Sequence, residues 1–174
     1  IGRQSGMDWT IVRPPGVYGP GDTEMLDLFR MAKRGVMLLP PAGRISLIHV
    51  DDLSRFLTSL VQTGAGTGQI FDVDDGRDGG WSQLEYAHMI GRSMERRIFA
   101  MHVPRPLLFA AAYGDRLVRG NAAKLTPDRA GYLSHDNWVV DAGARPPAAF
   151  WTPQIPTEEG VAETARWYAE KGWL

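Results

Sequence analysis

Trp9-Thr10-Ile11-Val12-Arg13-Pro14-Pro15-Gly16-Val17-Tyr18-Gly19-Pro20-Gly21-Asp22 decides how this chain folds. Its opening is short, β-branched and aromatic, which predicts a strand. Pro14-Pro15 ends that strand, because proline brings no N–H to a ladder. The glycines and proline from Gly16 to Asp22 predict a loop. Open α/β sheets bind ligands beyond the carboxyl ends of their strands. Arg13 stands at such an end, so it is either a ligand contact or the partner of a nearby carboxylate or loop carbonyl.

Working outward, Met25, Leu28, Phe29 and Ala32 recur at helical spacing, and Gly35 suits the position just past a helix end. Residues 36–39 and 45–50 read as short strands on either side of Pro40-Pro41-Ala42-Gly43. Asp51 or Asp52 then caps a helix bearing Leu53, Phe56, Leu57, Leu60 and Val61. Residues 69–73 predict another strand. Ser82 and Glu85 have the spacing of a capping box at the start of a further helix. Residues 97–103 read as a strand and residues 104–119 as a helix. Residues 121–134 give no clear pattern. Thr157 is expected to cap a last helix ending near Lys171-Gly172. Strands alternating with helices imply an α/β fold with a partly parallel sheet.

Composition narrows the function. The 174 residues carry 19 Lys+Arg against 20 Asp+Glu, a formal net charge of −1. No basic excess exists to neutralise a phosphate backbone, so a nucleic-acid partner is not expected. There is no cysteine, which excludes disulfides, thiolate metal sites and a cysteine nucleophile. No apolar run approaches the roughly 20 residues of a membrane span, and no secretory leader is visible. The expectation is a cytoplasmic protein with no membrane partner. The chain opens at Ile1 and not at Met, so its start is expected upstream.

Several patterns imitate known sites. Gly64-Ala65-Gly66-Thr67-Gly68-Gln69 follows a helix and precedes a strand, the reverse of a dinucleotide fingerprint, and reads as a connecting loop. Asp74 to Glu85 follows part of a calcium-loop frame. Gly76, however, offers no oxygen at the third position, and Glu85 suits its capping box better. His49, His88, His102 and His135 show no ligand spacing, so no metal is expected. His49 stands where it could orient a turn.

The segment Ser5–Asp22 resembles the stretch just after the active site of extended short-chain dehydrogenases/reductases, the NAD-dependent epimerase/dehydratase family. Ser46-Leu47-Ile48-His49-Val50-Asp51-Asp52-Leu53 resembles that family's second landmark. Trp138-Val139-Val140-Asp141, Phe150-Trp151-Thr152-Pro153, Glu159-Gly160 and residues 164–174 resemble its tail, in the same order.

The resemblance implies that residues 1–174 are the C-terminal half of an NAD(P)-binding domain. They would comprise the C-terminal portion of a Rossmann-like doubly wound sheet plus a small mixed α/β substrate-binding subdomain. The N-terminal cofactor half would be absent. It implies that Arg13, Pro14, Pro15, Gly16 and Val17 lie against the nicotinamide of NAD or NADP, and that Met25, Leu28, Phe29, Arg44 and His49 face the substrate. The family's catalytic Tyr-x-x-x-Lys pair is not found. Tyr18, Tyr86, Tyr113, Tyr132 and Tyr168 all lack Lys four residues on, so no catalytic residue is assigned here.

The parent protein would be an NAD(P)-dependent epimerase, dehydratase or reductase acting on a hydroxyl or keto group of a sugar or small molecule. This chain alone would be inactive. Members that take nucleotide sugars often carry Arg four residues before the histidine position. Here that position is Ile45 and Arg44 is one step earlier, a shift that turns a strand side chain to the other face. A small hydroxy or keto substrate is then as good a fit as a nucleotide sugar. The alternative functions are a non-catalytic NAD(P)-sensing or scaffold relative and an independent binding module. A homo-oligomer is expected, formed through the strand edge that the missing half would otherwise cover.

Overall fold

The computed structural model describes residues 8–174. The Ser5-Gly6-Met7 part of the first landmark lies outside the described residues. Nine strands and six α-helices alternate: β1 (Ile11–Arg13), β2 (Gly16–Tyr18), α1 (Leu26–Lys33), β3 (Val36–Leu39), β4 (Arg44–Ile45), β5 (Leu47–His49), α2 (Val50–Thr63), β6 (Ile70–Asp72), β7 (Trp81–Ser82), α3 (Gln83–Ser93), β8 (Phe99–His102), α4 (Arg105–Arg119), α5 (Pro127–Leu133), β9 (Asn137–Trp138) and α6 (Thr157–Glu170).

The strands form small ladders. β1 pairs with β6, β2 with β5 and β3 with β8, all parallel. β4 lies between antiparallel β7 and parallel β9. The mixed, mainly parallel α/β architecture expected from the sequence is therefore present. β2 is a correction, since punctuation alone predicted a loop there. Val17 and Tyr18 find a parallel partner in Ile48 and His49, and that distant ladder outweighs the local glycines.

The largest core cluster joins α1, α3 and α6, with Phe29, Met37, Tyr86, Ile90, Val161 and Tyr168 inside it. A second cluster packs Phe56 against Ile48, Phe71 and Val73, with Phe150 and Trp151 partly buried beside it. A third, much smaller, holds Leu108, Ala112 and Ala130 between α4 and α5.

Helix starts follow the sequence in part. Ser82 accepts from the Glu85 N–H while Glu85 accepts from the Ser82 N–H, a complete capping box. The other two expected caps differ. His49, not Asp51 or Asp52, caps α2, its Nδ1 accepting from the Asp51 N–H at 3.3 Å. Asp52 is instead buried and accepts from the backbone N–H groups of Gln154 at 2.9 Å and Ile155 at 3.0 Å. Pro156 occupies the cap position of α6, and Thr157 donates its hydroxyl to Asp75 at 2.6 Å. At α2 distant backbone N–H groups take the carboxylate that local patterning had assigned to the helix end, and at α6 a distant carboxylate takes the hydroxyl.

Candidate functional site

The site begins where the Pro14-Pro15 stop turns the chain from β1 into β2. Pro14, Pro15 and Gly16 form one end of a cavity of about 360 Å³. Met25 at the start of α1, Leu28 of α1, Met37 and Leu39 of β3 and Ile45 of β4 form its floor and sides. Gln83, Tyr86 and Ala87 enter from one face of α3, at helical spacing from the capping box. Tyr132, Leu133 and Trp138 close it from α5 and β9. Tyr132 and Trp138 touch each other, with ring centroids 4.4 Å apart. A second groove adjoins the first through Gly16, Met25, Tyr132 and Leu133, and it runs along residues 16–22 to Arg129.

Local chemistry fixes this geometry. Gly16 donates its N–H to the Ser46 carbonyl at 3.2 Å. A Cβ there would meet Leu47 Cδ2 at 3.1 Å, so the loop lies tight on β5. The turn leading into α1 is closed by Asp22, whose carboxylate accepts from the N–H groups of Glu24 at 2.8 Å and Met25 at 3.0 Å. Tyr168 donates to the Asp22 carbonyl at 2.8 Å and so ties this turn to α6.

The residues singled out in the sequence divide. Pro14, Pro15, Gly16, Met25 and Leu28 meet at the cavity, and Val17 lines the adjoining groove. Four others are placed elsewhere. Arg13 pairs with Asp72 across the β1–β6 ladder, Nε to Oδ1 at 2.6 Å, so its side chain follows the salt-bridge reading. Phe29 is fully buried and meets Tyr168 edge-on, so it is core and not cavity wall.

Arg44 donates to the carbonyls of Gly79 at 2.5 Å and Gly80 at 2.8 Å, while the next residue, Ile45, lines the cavity. Alternation along the chain thus turns the cation away and the apolar side chain in. His49 is buried as the cap of α2, edge-on to Tyr18, with Nε2 3.9 Å from Glu163 Oε2. The expectation that Phe29, Arg44 and His49 face a substrate is therefore not matched by this cavity.

Sequence reasoning missed Gln83, Tyr86, Tyr132, Leu133 and Trp138. The capping box fixes the phase of α3, so the 83–86–87 face was open to reading. No local signal joins α5 and β9 to α1, since those contacts are made only by folding.

The buried phenols are not poised for proton transfer at neutral pH. Burial pushes Tyr18, Tyr86 and Tyr168 well above the ordinary tyrosine value. Nor does the calcium-like frame hold its acids free. Asp74 receives Arg145 at 2.8 Å through both carboxylate oxygens and also the Ser46 hydroxyl at 2.9 Å. Among the described residues, no group of three or more His, Cys, Asp or Glu could hold a metal ion. No helix there is long and apolar enough to cross a membrane.

No family model matches the chain. It is 31% identical over 179 residues to a ceramide reductase of Caulobacter vibrioides (strain NA1000 / CB15N), covering 94% of this chain and 52% of that protein. It is 25% identical over 174 residues to a UDP-glucose 4-epimerase of Vibrio cholerae, covering 95% of this chain and 48% of that protein. Its fold superposes on the human epimerase family protein SDR39U1 (isoform 2), solved with NADPH, with a TM-score of 0.67 at 18% identity, over 90% of this chain and 48% of that one. The chain spans about half the length of the curated relatives it matches. The resemblance to extended short-chain dehydrogenases read from the landmarks is thereby borne out, as is the Rossmann-like α/β fold class.

Proposed function

We propose, from the premise that this chain shares the fold and landmark order of the NAD-dependent epimerase/dehydratase proteins, that it is the substrate-binding part of an NAD(P)-dependent oxidoreductase or epimerase. The observation that carries this reading is the cavity. The Pro14–Gly16 turn closes one end of a chamber whose other walls come from six separate elements.

The residues present suit one end of the cofactor and not the other. Pro14 and Pro15 lack N–H groups, and the Gly16 N–H is engaged by Ser46. The loop can therefore offer pyrrolidine faces and carbonyl oxygens, which match a flat ring that carries an amide. A pyrophosphate needs converging N–H donors or cations. The nearest turn instead carries the Asp22 carboxylate, which has already taken two backbone N–H groups.

In this reading Pro14, Pro15, Gly16 and Val17 hold the nicotinamide end, while phosphate binding lies outside the described residues. Bound NAD(P) would supply hydride transfer to or from a carbinol or carbonyl carbon. This chain's residues would position that carbon and exclude water through Met25, Leu28, Tyr132 and Trp138. The sequence has no Tyr-x-x-x-Lys pair, which supports a proton donor on a segment outside it.

The test is Gly16→Leu in the full-length protein. The added side chain must either displace Leu47 or enter the cavity. The expected result is a fall in kcat/KM on the order of 100-fold, the scale of an ångström's misplacement, with far-UV circular dichroism unchanged. Unaltered turnover with the fold intact would remove the loop from the reaction site.

A further inference from the structure

We propose that the cavity takes the apolar chain of an alkyl- or acyl-bearing substrate, a proposal that rests on reading this cavity as the substrate pocket. Its side walls are Met25, Leu28, Met37, Leu39, Ile45 and Leu133, and among the described residues no lysine, arginine, histidine or carboxylate lines it. Its size falls in the range of small-molecule pockets. A diphosphate placed here would lose its hydration and gain no cation in return.

The cations on the neighbouring strands and loops are already engaged. Arg44 donates to the Gly79 and Gly80 carbonyls. Arg77 pairs with Glu85 at 2.8 Å and stacks on the Trp81 ring at 3.8 Å. Arg145 holds Asp74 and Asp78. The Gln83 amide is engaged too, since its nitrogen is within 3.1 Å of the Pro40 carbonyl and 3.3 Å of the Pro41 carbonyl in the orientation that satisfies both.

Two polar features remain, and both suit a molecule with a small head on an apolar body. Tyr86 lines the cavity, and its buried hydroxyl has no hydrogen-bond partner among the described residues. Arg129 borders only the adjoining groove, where it faces Glu24 at 3.7 Å. The chain of such a substrate lies among the methionines and leucines. Its polar end lies toward the Gly16 turn, where the two spaces join.

The experiment measures binding of 1-hexanol, 1-octanol, 1-decanol and UDP-glucose to the full-length protein by calorimetry, with NADH and NADPH titrated separately. Affinity is expected to rise about fourfold for each methylene added, until the cavity is full. UDP-glucose is expected to show no saturable binding. Leu28→Arg should abolish the chain-length gradient. Trp138→Ala, at a ring already 39% exposed, should flatten it should the arginine variant fail to fold. Leu117→Ala, at an 88% exposed site on α4, should leave the gradient unchanged, which separates the cavity from a greasy surface.

Saturable UDP-glucose binding without a chain-length gradient, or a gradient sensitive only to Leu117, overturns the proposal. Cofactor binding reports on the oxidoreductase reading alone. A gradient with binding of neither NADH nor NADPH keeps the apolar cavity and removes the dehydrogenase assignment, while binding of either cofactor with no gradient does the reverse.

Discussion

The body built around β2, β5 and α6 and the arm made by α4 and α5 are held in different ways. In the body, buried acids reach across the chain. Asp74 takes Arg145, 71 residues away, and Asp52 takes the N–H groups of Gln154 and Ile155, 102 and 103 residues away. Aromatic rings interlock around Phe56 and Tyr168. In the arm only Leu108, Ala112 and Ala130 are buried together, while Leu107, Tyr113, Leu117 and Val118 stand exposed. Its main tie is short-range, with Asp115 accepting from the N–H groups of Lys124 at 2.8 Å and Leu125 at 2.9 Å. Sparse burial with local ties marks the low-stability end of a structure. The arm supplies Tyr132 and Leu133 to the cavity, so one of its walls belongs to the part that opens most easily.

The largest expected effect tests the body. Asp74→Ala leaves the Arg145 guanidinium, with only 18% of its side chain exposed, without its bidentate partner. Breaking such a buried pair should lower unfolding free energy by about 3–5 kcal/mol, read from urea midpoints. A loss below about 1 kcal/mol would mean that the long-range acids do not distinguish the two regions.

A smaller effect is expected from Gly160→Ala. An added Cβ would stand 2.8 Å from the Tyr18 hydroxyl and 2.9 Å from His49 Cδ2, with Ile155 Cγ2 at 3.2 Å. Overpacking there should cost about 2 kcal/mol in thermal unfolding, and a neutral result would show that the body yields as readily as the arm.

The smallest effect sharpens the contrast through pH. The Leu125 N–H, followed by the Arg119 and Lys124 groups, holds the Asp115 carboxyl below the usual carboxylate range. A group depressed in the folded state stabilises above its unfolded pKa, and that contribution is lost as pH falls through the folded value. Amide shifts of Lys124 and Leu125 should therefore hold through the usual carboxylate range and move only at lower pH. Movement within that range would show that the arm lacks even this local tie.

How much of this was legible follows the same division. β1, α1, α2 and the α3 capping box rest on neighbours in sequence, and their patterns announce them. β2 was hidden because its ladder partner lies some thirty residues on. The caps at His49 and Pro156 were hidden because Asp52 and Asp75 bind groups on distant segments. α5 does carry a local start, Thr126 accepting from the Arg129 N–H with Pro127 in the first turn. Only seven residues follow it, too few for a periodic face to stand out. For the cavity, the Pro14–Gly16 end was readable from punctuation. The turning of Arg44 away and Ile45 inward was foreshadowed by the one-residue offset in the second landmark.

The Asp52 latch also sets a timetable. Ribosomes add about 5–20 residues per second, so the amides of Gln154 and Ile155 emerge roughly 5–20 s after the carboxylate they satisfy. Until then the Asp52 carboxylate has Arg55, three residues on, as its partner but not the two backbone amides. The Asp52 side of the body is thus completed only after Gln154 and Ile155 have been made, which leaves a defined interval in which a chaperone can act.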